Sequence, residues 1–126
     1  MKVETLLPLG KVDPGLRAVE TPLDISRVGA DARLVEEMGY DGLVTEETKD
    51  DPYVVMALAA QATTRLRLVT GVAMAFPRSP TITAMSAWSL QKLSKGRFHP
   101  WTRLPGQRAY PTAVWHELVA AGSMDA

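Results

Sequence analysis

Three short stretches of this sequence hold side chains able to do chemistry. Thr45-Glu46-Glu47 sets two carboxylates beside a hydroxyl, and Glu46 can donate or accept a proton if burial brings its pKa toward neutrality. The same glutamates can equally cap the helix that follows or face water. Arg78-Ser79 stands directly before Pro80, so a helix N-terminus there can receive an anion beside a guanidinium, and Arg78 reads equally well as a surface residue. Gly71, closing an apolar run, reads by itself as a turn. The two histidines, His99 and His116, have no carboxylate or second histidine at ligand spacing on a shared element, which argues against a metal site. Met38, Met56, Met74 and Met85 read as core filler, and Lys92, Lys95 and Arg97 as cations gathered at a helix end.

The elements that must position these residues follow from periodicity and punctuation. Residues 2–7 are rich in Val, Thr and Leu and stop at Pro8, as a first strand does. A polar loop with Asp13, Pro14, Gly15 and Pro22 leads to Asp24, a helix cap, and Ile25, Val28, Ala32, Val35 and Met38 then recur at helical spacing until Gly39. Residues 42–45 form a short apolar strand. Asp50-Asp51-Pro52 starts a second helix with Val55, Leu58, Ala59 and Ala62 on its apolar face, ending near Thr63 or Thr64. Residues 66–72 read as a third strand. Ser79 caps a third helix that runs from Pro80 to about Ser94, with Ile82, Ala87, Leu90 and Leu93 as its apolar contacts and Gly96 as its close. Arg97 and Phe98 begin a fourth strand.

Strand and helix alternating with short links predict right-handed βαβ units on a parallel sheet. A doubly wound sheet and a barrel both begin this way. No glycine-rich fingerprint follows the first strand, which counts against a dinucleotide-binding domain. The chain has 126 residues, 46% of them hydrophobic, enough for one core. Its 14 basic and 14 acidic residues cancel, so no net field draws nucleic acid or an anionic membrane. The absence of cysteine excludes disulfides and thiolate metal sites and suits a cytoplasmic setting. No apolar run reaches the roughly 18 residues a membrane helix needs, and the first ten residues lack the apolar centre of a signal peptide.

In parallel α/β folds ligands meet the carboxyl ends of the strands, so the residues there carry the information. Gly39-Tyr40-Asp41-Gly42-Leu43, Arg65-Leu66-Arg67-Leu68-Val69-Thr70-Gly71-Val72-Ala73, Arg78-Ser79-Pro80 and Leu90-Gln91-Lys92-Leu93-Ser94-Lys95-Gly96-Arg97-Phe98 occur in that order. Together they resemble the luciferase-like monooxygenase superfamily over roughly residues 1–98, and most closely its branch dependent on coenzyme F420. The resemblance implies a (β/α)8 TIM barrel whose strand ends hold a deazaflavin or, alternatively, the flavin of FMN. The implied activity is that of an oxidoreductase: hydride transfer with F420, or oxygen activation with reduced FMN, on a small organic substrate, in a chain able to form a homo-oligomer. It further implies a bulge at the end of the third strand with a non-prolyl cis peptide behind the ring, at the bond Gly71–Val72. Thr45, Gly71, Val72, Ala73 and Arg78 are then the residues that contact the cofactor, and Glu46 the catalytic acid or base. Many relatives carry Ser-Asp-His where this chain has Thr45-Glu46-Glu47, so the proton-transfer role departs from the family pattern.

The resemblance divides the chain into residues 1–98 and an atypical tail, residues 99–126. His99-Pro100-Trp101 puts a proline where a buried strand should continue, and Pro105 and Pro111 follow. A barrel of eight strands takes about 250 residues, and three strands with the start of a fourth leave edges open, so catalysis by this chain alone is not expected. A non-catalytic half-barrel that pairs with another half and an unrelated short α/β binding module are the alternatives. A genuine short variant would use residues 112–121 as a small helix with Val114, Leu118 and Val119 on one side. A one-base frameshift after codon 98 is the other account of the tail. Tryptophan has the single codon TGG, so reading one base later turns Trp101 and Trp115 into glycine. The flanking codons then permit Thr-Leu-Gly-Leu-Gly-Ser-Gln-Val and, further on, Arg-Tyr-Gly-Met, as the family pattern would have them. Sequencing the gene across codons 95 to 120 is expected to give that string in the shifted frame; an early stop there, or a different string, ends the idea.

Overall fold

A computed structural model describes residues 1–9, 22–74, 77–103 and 110–111. In chain order the elements are β1 (Glu4–Leu7), a 3-10 turn (Ile25–Arg27), α1 (Val28–Glu37), β2 (Gly42–Thr45), α2 (Pro52–Ala62), β3 (Arg67–Thr70), β4 (Ala73–Met74), α3 (Pro80–Ser94), β5 (Phe98–His99), β6 (Trp101–Arg103) and β7 (Tyr110–Pro111). Most of the polar loop before Asp24 and the helix expected at residues 112–121 lie outside the described residues.

β1, β2, β3 and β5 form a parallel sheet in that order, so the β/α alternation of the sequence becomes a sheet in which each strand pairs with the next. The register aligns Leu7, Thr45 and Thr70, which puts the carboxyl ends of the strands on one rim. Side chains alternate across the pleat. Leu43, Thr45, Leu68, Thr70 and Phe98 are therefore buried on one face, where the apolar residues among them pack with Val28, Ala32 and Val35 of α1 and Val55, Met56 and Ala59 of α2. The opposite face carries Leu6, Val44, Val69 and His99, with Arg67 paired to Glu4 at 3.3 Å near the amino ends.

The helix signals act as local chemistry requires. Asp24 accepts from Ser26 N–H at 3.0 Å, Asp51 from Tyr53 N–H at 2.8 Å with Pro52 behind it, and Ser79 from Ile82 N–H at 3.2 Å with Pro80 behind it. Gly39 ends α1 in the left-handed region at φ 87°. α3 ends at Ser94 as expected, and left-handed Gly96 at φ 85° closes it, preceded by a left-handed Lys95.

Three expectations are corrected. The third strand is not continuous over residues 66–72: it ends at Thr70 and resumes as β4, which pairs with β6 in a second sheet, because an apolar run reads the same whether straight or jogged. The buried stripe of α3 is Thr83, Ala87, Leu90 and Ser94, while Ile82 and Leu93 are exposed; small residues let the helix approach closely, which rotates the contact face. Ile25, in the 3-10 turn before α1, Met38, just after α1, and Leu58 are likewise exposed.

The amino-terminal end of the sheet is tied by two charged side chains that converge on the turn between α2 and β3. The carboxylate of Glu36, on α1, accepts from the backbone N–H groups of Thr64, Arg65 and Leu66 at 2.8–3.2 Å and from the Thr64 hydroxyl. Arg65 in turn donates to the carbonyls of Tyr40 and Glu36. Arg97, just before β5, uses all five of its donors on Ser94 O, Thr63 Oγ1, Leu66 O, Ala60 O and Thr63 O, at 2.8–3.0 Å. Burial works to raise the Glu36 pKa, but the bonds from Arg65, Thr64 and Leu66 outweigh it and hold the carboxyl below its ordinary value. A depressed carboxylate stabilises the fold above its unfolded pKa, and that stabilisation is lost as pH falls through the folded value. Glu36→Gln is therefore expected to cost about 1–2 kcal/mol near neutral pH, the difference between charged and neutral acceptors. Chemical denaturation at several pH values should show the gap to wild type closing below about pH 4, the ordinary carboxylate range.

Candidate functional site

At the carboxyl rim the chain departs from a regular ladder. Gly71 N–H donates to Thr45 O at 2.7 Å, continuing the register of β2 and β3 by one step. The peptide Gly71–Val72 is cis, and the chain then shifts sideways into β4, where Ala73 and Met74 lie opposite Thr102 and Arg103 of β6. Gly71 is required by space: a Cβ on it would lie 2.6 Å from Val44 Cγ1, closer than real side chains approach. Thr70, fully buried, accepts from Trp101 N–H at 2.7 Å and donates to Trp101 O at 2.9 Å. Its hydroxyl thus carries the link from β3 across Pro100, which has no N–H to offer.

The structure brings Thr45, Gly71, Val72 and Ala73 together. Thr45 is buried and reaches this group through its carbonyl, Gly71 and Val72 are half-buried, and Ala73 is fully covered. The result is a stretch of rim in which Gly71 has no side chain and Val72 offers a half-buried apolar one. Glu46 is half-buried immediately after β2.

Arg78 stands in a network the sequence did not reveal. Its Nη1 donates to Glu47 Oε2 at 2.7 Å and to Met74 O at 3.0 Å, and its Nη2 lies 3.5 Å from Asp51 Oδ2. The same Glu47 oxygen accepts from Met74 N–H at 2.6 Å. The guanidinium sits 5.3 Å from the centroid of the Tyr53 ring, which leans on Phe98 at 6.1 Å and 56°. The bond to Glu47 raises the Arg78 pKa further, burial opposing it, so the charge is permanent. Burial, opposed by Arg78, pushes the Tyr53 hydroxyl up to about 12, and that hydroxyl has no hydrogen-bond partner among the described residues. The anion expected at Arg78-Ser79 thus has counterparts within the chain: the Glu47 carboxylate at Arg78, and the Ser79 hydroxyl capping α3. Glu47, Asp51 and Tyr53 were missed because the partners of Arg78 lie 25 to 31 positions away, a separation no local pattern records. Among the described residues no cluster of His, Asp or Glu could hold a metal, and no helix is long and apolar enough to cross a membrane.

Comparison with known proteins places this rim in context. A family model described as luciferase-like monooxygenase matches residues 5–99. Uncharacterized proteins of Mycobacterium tuberculosis and Mycobacterium bovis are 43% identical over 76 residues, and that match covers 60% of this chain and 22% of theirs. Among solved structures, the monooxygenase RslO1 of Streptomyces bottropensis is 25% identical with a TM-score of 0.65, over 99% of this chain and 38% of that one. Two further structures share the fold. The F420-dependent tetrahydromethanopterin reductase of Methanopyrus kandleri is 20% identical, with a TM-score of 0.59 over 80% of this chain and 26% of that one. The oxygenating constituent of 3,6-diketocamphane monooxygenase from Pseudomonas putida, solved with FMN, is 18% identical, with a TM-score of 0.66 over 92% and 32%. The parallel β/α units of this chain are thus those of a TIM barrel, and the chain spans about a fifth to two fifths of the length of the proteins it matches.

The contact between Gly71 and Val44 makes a test of the rim geometry. Gly71→Ala is expected to destabilise the protein by about 1–3 kcal/mol through overpacking. Val44→Ala in the same chain removes the opposing methyl and should recover most of that loss in a denaturation experiment. A simple sum of the two single losses would place the strain elsewhere.

Proposed function

We propose that this chain, which belongs to the luciferase-like monooxygenase family, builds the wall behind the cofactor ring of an oxidoreductase that uses coenzyme F420, with FMN as the alternative occupant. The observation that carries the reading is the break after Thr70. Gly71, which has no side chain, and Val72 are the half-exposed part of this break at the carboxyl rim, where parallel α/β enzymes bind their ligands, while Ala73 belongs to the core behind them. A flat heteroaromatic ring needs a surface with little side-chain bulk, and Gly71, which Val44 keeps a glycine, adds none.

When bound, the deazaflavin or flavin supplies the hydride-transfer or oxygen chemistry, and the protein supplies position and polarity. Thr45 holds Gly71 through its carbonyl, and Val72 gives the wall its apolar contact. Ala73, fully buried, anchors the segment in the core. Glu46, half-buried beside this group, is the residue assigned to move a proton at the reacting edge, on a small organic substrate. Arg78 supports the wall from behind through Glu47 and Met74.

The reading is tested by following the fluorescence of F420 and, separately, of FMN as protein is added. Saturable binding is expected with F420 and a weaker response with FMN. Val72→Arg, which puts a long charged side chain on the wall, should weaken binding by about tenfold or more, or about 1.4 kcal/mol. If neither cofactor gives a saturable signal with the wild-type chain, the proposal fails.

A further inference from the structure

We infer that the ion pair of Glu47 and Arg78 is the device that positions the cofactor wall, with Glu47 as a positioning residue. The inference rests on the reading of Gly71, Val72 and Ala73 as that wall. Its basis is the closed arrangement around Met74, the residue that ends the displaced strand β4. Met74 N–H donates to Glu47 Oε2 at 2.6 Å, Met74 O accepts from Arg78 Nη1 at 3.0 Å, and the two side chains meet at 2.7 Å. The pair thus serves both polar groups of one residue, as a neighbouring strand would. β4 pairs with β6 through the ladder, so Met74 is held by strand pairing and by the ion pair together.

The grip is built to be stiff. The Glu47 and Arg78 side chains are 15% and 18% exposed, so their attraction is only weakly screened by water. Arg78 is further fixed by Asp51, itself the cap of α2, and by the face of Tyr53. Glu47 comes from the loop after β2 and Arg78 from the loop before α3, so two separate β/α links meet on the segment between them. Glu46, its neighbour, stands one residue nearer the strand end. The adjacent glutamates thus divide the work: Glu46 is the proposed proton-transfer group, and Glu47 sets the wall it works against.

The experiment compares wild type with Glu47→Gln, Arg78→Gln and Arg78→Lys, using amide hydrogen exchange resolved by segment, global denaturation and the F420 titration. Arg27→Ala, at the exposed end of the 3-10 turn before α1, serves as the control. Exchange over residues 71–74 should rise about tenfold or more in Glu47→Gln and Arg78→Gln, with α1 and α2 protected as before, and F420 affinity should fall in parallel. Arg78→Lys, which keeps the charge but not the fork, should recover part of both. Unchanged exchange over residues 71–74 overturns the inference, as does a uniform rise over the whole chain, which marks an ordinary stabilising pair. Local opening with undiminished F420 affinity overturns the link to the wall. If wild type binds no cofactor but the local opening is seen, the grip on Met74 stands and the cofactor reading is what falls.

Discussion

The structure depends on the convergence of Glu36 and Arg97 on the turn between α2 and β3. A turn in this position ends a helix and starts a strand within a few residues, which leaves several carbonyl and N–H groups unpaired on both sides. The carboxylate on α1 meets the N–H groups of Thr64, Arg65 and Leu66, and the guanidinium before β5 meets the carbonyls of Ala60, Thr63 and Leu66. Each charge is matched to the backbone groups of opposite polarity. Three consecutive β/α units are thereby locked at one point, and the start of β3 is fixed relative to β2 and β5.

The position of the rim follows from that lock. β3 has four residues, so a displacement at Arg67 would appear unchanged at Thr70 and Gly71. Gly71 must reach Thr45 O while clearing Val44 Cγ1, and Thr70 must reach both polar groups of Trp101. A slip of one residue would put Thr70 or Val72 where only glycine fits, and would turn the buried threonine to the opposite face. Register at one end of the sheet and geometry at the other are thus a single constraint.

How much of this the sequence disclosed varies with the range of the interaction. Asp51 with Pro52, and Ser79 with Pro80, announce helix starts because capping is settled within three residues. The order of strands and helices is legible for the same reason. Which face of α3 is buried was less so: Ile82 and Leu93 promise more apolar area, yet Thr83, Ala87 and Ser94 are chosen because closeness of approach is decided by the partner helix and sheet. The jog after Thr70 was visible only through resemblance, since Gly71 alone reads as a turn. The partners of Arg78 were not legible at all, because Glu47 and Tyr53 meet it only after β3 and α2 are folded.

Both ends of the sheet use the same device, a carboxylate and a guanidinium applied to backbone polar groups, but with different results. At the amino-terminal end Glu36 and Arg97 act on the turn between a helix and a strand, and their effect is stability. At the carboxyl rim Glu47 and Arg78 act on a broken strand beside a half-exposed surface, and their effect is shape. Barrel folds commonly separate stability from chemistry in this way, one end of the strands for each. In this chain the separation can be traced to β3, four residues long, clamped before Arg67 and gripped beyond Gly71. Substitutions at the first clamp should therefore spread through the fold, while those at the second stay local to the wall.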